Sequence, residues 1–159
     1  MSEVSEVLEA RIEIAASPAA VWELVSDVRR MCEWSPQVTS TRLRQGFDEV
    51  AIGTQFTNRN SLGDFQWTTH AEIVRFEVDR EVAFRIEENW AIWSFHLEPN
   101  GTGTTLIQRR TTPEGISELS HQVTDRYLGG QEPFTKVLIE GMGETLEKIR
   151  LAAEGATVT

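Results

Sequence analysis

The residues with most chemical potential in this 159-residue chain are polar side chains that fall in phase with apolar ones. Asn58 shares a strand side with Phe56, while Gln108 and Arg110 share a side with Thr104 and Leu106. A buried amide without a partner costs about 1–3 kcal/mol, and an unpaired buried charge costs more. Inward polar groups of this kind must meet one another, a trapped water or a ligand. Arg110 carries two readings: it faces inward, or it emerges at the rim of a sheet beside Glu114. Asn60 borders the turn signal Ser61-Leu62-Gly63-Asp64 and reads as a turn residue.

Conventional catalytic groupings do not emerge from the spacing. His70, His96 and His121 lack metal-ligand spacing, and the first two alternate outward among charged neighbours, so the sequence indicates no metal and no cofactor. Cys32 stands alone without an evident base and reads as a small buried apolar side chain. Gly101 and Gly103 belong to the hairpin segment Pro99-Asn100-Gly101-Thr102-Gly103, not to a phosphate loop between strand and helix. Tyr127, the one tyrosine, either lines a pocket entrance or packs beside it.

Composition narrows the partners. A formal net charge of −10 with scattered basic residues disfavours nucleic acid and anionic lipid surfaces, which need clustered Lys and Arg. No apolar run approaches the roughly 20 residues that span a bilayer. Glu3, Glu6 and Glu9 stand where an export signal needs positive charge, and a lone cysteine suits a reducing interior. These features predict a cytoplasmic protein, monomeric or homodimeric. The length fits a single domain over 1–159, with its core about 5–153.

The elements that position the polar residues follow from periodicity. Ile12 and Ile14 alternate with charged neighbours as a half-buried strand that runs into Ser17-Pro18, a capped helix start. Val21, Trp22, Val25 and Val28 then share a helical face, and a short second segment ends at Trp34-Ser35-Pro36. Strands of alternating pattern follow: 38–44, 53–60, 65–78, one around Val82 to Ile86, one around Trp93 to Leu97, and 104–112. Each exposes one apolar face that needs a cover. The cover is a helix predicted over about 131–153. Phe134, Leu138, Met142, Thr145, Ile149 and Ala152 form its apolar stripe, and Lys136, Glu140, Glu144, Glu147 and Lys148 face water. At 1.5 Å per residue it is about 30 Å long, enough to cross a sheet.

Strand, capped helix, short helix and Trp-Ser-Pro, in that order over 12–36, resemble the opening of the START-like or helix-grip (SRPBCC) superfamily, in its polyketide cyclase/dehydrase branch. The resemblance extends over roughly residues 5–153. It implies an α+β helix-grip fold: a curved antiparallel sheet of six to seven strands wrapped around a long C-terminal helix, with two short helices after the first strand. It also implies a cavity between sheet and helix for a small apolar molecule. Its wall is expected among Trp34, Phe56, Asn58, Trp67, Phe84, Trp93, Gln108, Val137, Leu138 and Gly141. Gly141 and Gly143 each cost up to about 1 kcal/mol inside a helix, so they leave room for a ligand, allow close helix–sheet packing or permit a kink. In related cyclases a pocket arginine polarises a carbonyl, which makes Arg110 and Asn58 the catalytic candidates. The family's catalytic constellation has no residue-for-residue match here. Three functions stay open: a carrier or sensor for a small hydrophobic or aromatic molecule, a polyketide cyclase/aromatase performing aldol cyclisation and dehydration, or an interaction module.

Overall fold

The capping chemistry of Ser17-Pro18 operates as its residue types require. The Ser17 hydroxyl accepts a hydrogen bond from the Ala20 N–H at 3.2 Å, and Pro18 opens helix α1, Pro18–Val25. A computed structural model of the chain describes residues 7–113 and 131–155. Strand β1, Val7–Ile14, precedes α1, and a 3-10 helix, Val28–Glu33, follows it. Six more strands come next: β2 Val38–Leu43, β3 Gln55–Leu62, β4 Phe65–Glu77, β5 Glu81–Ile86, β6 Ile92–Asn100 and β7 Gly103–Thr111. The long helix α2 spans Gln131–Gly155.

The seven strands form one antiparallel sheet in the order β1-β7-β6-β5-β4-β3-β2. Each strand thus lies beside its chain neighbour, except that β1 closes against β7. The arrangement is the helix-grip fold with seven strands, at the upper end of the six to seven expected.

Three apolar clusters hold the layers together. Val21, Trp22 and Val25 of α1 pack with Leu97 and Leu106 of the sheet and with Leu146 and Ile149 of α2. Val28 of the 3-10 helix joins Phe56, Ile73, Phe84 and Ile86 under β3 to β5. Leu8, Leu138 and Met142 form the third cluster. The buried stripe of α2 is Leu138, Met142, Leu146, Ile149 and Ala153, with Thr145 buried beside it. Leu146 and Ala153 therefore belong to the core stripe, and Ala152 is only half-buried. An apolar face wider than about 100° admits these neighbouring phases. The side chain of Phe134 lies outside the described residues.

The 3-10 helix corrects one expectation. Val28 and Trp34 are buried and Met31 is half-buried, at three-residue spacing, because side chains three apart eclipse in that helix. That phase turns Cys32 outward, so it is exposed instead of buried.

Candidate functional site

A cavity of about 270 Å³ opens between the sheet and α2. All three apolar clusters contribute to its wall: Trp34 and Phe95 from the first, Phe84 and Ile86 from the second, Leu138 and Met142 from the third. Of the residues expected there, Trp34, Asn58, Trp67, Phe84, Trp93, Gln108, Leu138 and Gly141 line it, and so does Arg110. Two do not. Phe56 is fully buried one layer back, edge-on to Phe84 with ring centroids 5.3 Å apart. Val137 is half-buried and off the wall, because one residue along a helix rotates the side chain about 100° from Leu138.

The aromatic wall is ordered by ring contacts. Phe65 and Trp67 stack with centroids 5.3 Å apart on β4. The Arg30 guanidinium lies 5.2 Å from the centroid of the Trp34 ring, so the indole's faces are shared between a cation and the cavity wall.

Polar groups enter the wall from two sides. On β3, Asn58 Oδ1 accepts a hydrogen bond from Thr41 Oγ1 at 2.5 Å, and its amide N–H reaches only Met31 Sδ at 3.5 Å. Asn60 corrects the turn assignment. It is buried, lines the cavity and donates to Thr69 Oγ1 at 3.1 Å. β3 runs on to Leu62, so the chain reverses later than the turn signal implied, at Gly63 and Asp64. The alternation Phe56, Asn58, Asn60 carried that information; the flanking turn residues masked it.

On β7 the inward pair is Gln108 and Arg110. Gln108 Oε1 is buried and receives no hydrogen bond from the described residues. Arg110 is 6% exposed, so it sits in the wall and not at the rim. Its sheet neighbours are Leu8 and Trp93. Among the described residues no carboxylate pairs with it, and burial in these apolar surroundings pushes its pKa down to about 10. Glu114 and Tyr127 lie outside the described residues, as does His121.

Glu88 is the acid of the described wall, and it is engaged. It accepts the His70 backbone N–H at 2.7 Å, and its other oxygen lies 2.6 Å from His70 Nδ1. With Glu87 these residues bring three ligand-type atoms within 4.8 Å of one another, a cluster that spacing alone did not reveal. Glu87 also lies 3.5 Å from Arg44, so each member of the cluster has a polar neighbour of its own.

Gly141 packs and lines at once. A side-chain carbon there would stand 3.3 Å from Pro36 Cγ, so the glycine lets α2 approach the Ser35-Pro36 segment that bounds the cavity. Gly143 faces open space and is exposed, and serves neither purpose.

Comparison with known proteins places this geometry. The profile of the family described as polyketide cyclase / dehydrase and lipid transport matches residues 5–148. No curated protein gives a significant match. Among solved structures, the di-domain aromatase/cyclase StfQ of the steffimycin biosynthetic pathway superposes with a TM-score of 0.75 at 13% identity. The superposition covers 97% of this chain and 52% of StfQ, so this chain spans about half of that protein's length. The KanY protein gives a TM-score of 0.68 at 20% identity, over 97% of this chain and 99% of its own. A polyketide-cyclase-like protein from Corynebacterium glutamicum gives 0.60 at 26% identity, over 97% and 91%.

Proposed function

The chain belongs to the polyketide cyclase / dehydrase and lipid transport family, and from that premise we propose that it binds a small hydrophobic or aromatic molecule in the cavity between sheet and α2, as a carrier or sensor. The observation that carries this reading is the cavity itself: about 270 Å³, walled by Trp34, Phe65, Trp67, Phe84, Trp93 and Phe95, with polar side chains such as Asn58, Gln108 and Arg110 set among them to orient a guest. Small-molecule pockets run from about 300 to 1,000 Å³, so the space suits a compact ring system better than a two-chain lipid.

Cyclase chemistry is the second reading, and Arg110 is the observation that favours it. A guanidinium facing an apolar cavity without a carboxylate can polarise a carbonyl, with the Asn58 amide holding a second oxygen. Aldol closure also needs a base to remove a proton next to that carbonyl. The described wall carries no His, Cys, Lys or Tyr, and its one acid, Glu88, is engaged with His70. Carriage therefore takes precedence over turnover.

The test is titration with the neutral dye N-phenyl-1-naphthylamine, read by energy transfer from tryptophan. The native protein should bind it saturably. Leu138→Trp, which fills the cavity from α2, should lose at least tenfold in affinity while melting within a few degrees of the native protein. Equal binding by both proteins would move the site elsewhere. Turnover of a poly-β-ketone that disappears in Arg110→Ala would instead establish the enzyme.

A further inference from the structure

β7 carries two consecutive arginines, and the sheet treats them differently. Arg109 points to the outer face, where its Nε lies 2.6 Å from a Glu9 carboxylate oxygen. Arg110 points to the inner face between Leu8 and Trp93, and none of the described acids answers it. Two residues away on the same face, Gln108 Oε1 is buried without a donor among the described residues. Glu88, the acid of the described wall, is committed to His70. A cation held in an apolar wall without a counter-ion is costly, and a guest that supplies the counter-ion recovers that cost.

We infer that the guest of this cavity is an organic oxoanion: an aromatic or alicyclic body whose carboxylate, or equivalent acidic oxygen, seats on Arg110. The inference rests on the cavity-binding reading and specifies its ligand. Guanidinium geometry matches a carboxylate with two parallel N–H···O contacts, which selects a planar oxoanion over a lone hydroxyl. Residues two apart on a strand stand about 7 Å from one another along it. A hydroxyl or N–H at that distance from the carboxylate would donate to Gln108 Oε1 and complete the β7 side. The ring system then runs past Trp93, the neighbour of Arg110, toward Phe84 and Trp67. Burial leaves Arg110 protonated at neutral pH, with a pKa near 10, so the cation is present when such a guest arrives.

Two probes with one ring system separate charge from shape: 2-naphthoate and 2-naphthylmethanol, titrated at neutral pH by tryptophan quenching. The native protein should bind the acid at least tenfold more tightly than the alcohol. Arg110→Met should abolish that preference, bringing acid and alcohol within about threefold of one another, and Arg110→Lys should retain part of it. The native comparison needs no variant, so a poorly folding Arg110→Met leaves the test intact. Equal affinities in the native protein would overturn the inference and leave cavity binding standing. A preference that persists in Arg110→Met would overturn it as well, because another group would be reading the charge. Failure of both probes to bind would overturn the cavity reading and the inference with it.

Discussion

Arg110 concentrates the chemistry of the described wall, because it is buried there and no described acid pairs with it. A buried charge without a partner is costly, so replacing one that no described acid pairs with by an apolar side chain should be neutral or stabilising. Arg110→Met should therefore unfold at or above the native temperature in the absence of ligand; a loss of several kcal/mol would mean that the guanidinium has a partner in the resting protein. Arg109→Met removes only an exposed pair and should change stability by less than about 1 kcal/mol. Burial lowers the pKa of Arg110 from its ordinary value to about 10, so the cation is lost as pH rises through that value. Affinity for 2-naphthoate should hold up to about pH 9 and fall as pH rises through 10, whereas 2-naphthylmethanol should show no such step. Gln108 and Arg110 were legible in the sequence because both keep phase with Leu106. Whether Arg110 faced the cavity or the rim was not, since that depends on where the edge strand β1 closes against β7.

At the scale of elements, α2 sets both stability and access. Leu146 is 1% exposed in the largest core cluster, so Leu146→Ala should cost about 2–5 kcal/mol by denaturant unfolding. Glu144→Ala, on the outer face, should stay within about 0.5 kcal/mol. Gly141 and Gly143 should separate in the same assay. Gly143 faces open space, so Gly143→Ala should stabilise by about 0.5–1 kcal/mol. Gly141→Ala should gain less or lose stability, because Pro36 must yield to the new methyl group. Equal gains at both positions would show that α2 does not press on that segment. The strands and α2 were readable from period-two and period-3.6 patterns, because each has one wet face. The 3-10 helix was harder, since its three-residue repeat brings Val28, Met31 and Trp34 together and turns Cys32 out. Wall residues from connecting segments, such as Pro36, Glu88 and Asn89, carry no periodicity at all and appear only in the folded chain.

Over the whole molecule, charge and cavity pull in opposite directions. A formal charge of −10 repels an anionic guest at long range, while Arg110 attracts it at contact. Salt screens the first effect over a length that shrinks from about 30 Å at 0.01 M to about 8 Å at 0.15 M. The association rate of 2-naphthoate should accordingly rise with salt over that range, with little change in its dissociation rate, and the neutral alcohol should show neither effect. No helix among the described residues is long and apolar enough to cross a membrane. The family, the seven-stranded sheet and the aromatic wall are the grounds for the proposal that a small molecule binds between the sheet and α2. The five tryptophans test it directly, because each gives one indole N–H signal in a nitrogen–proton correlation spectrum. Trp34, Trp67 and Trp93 line the cavity; Trp22 packs against Phe76, and Trp90 sits in the turn between β5 and β6. Titration with 2-naphthylmethanol should shift the first three signals and leave the other two in place. Shifts confined to Trp22 and Trp90, or none at saturating ligand, would contradict the cavity as the binding site.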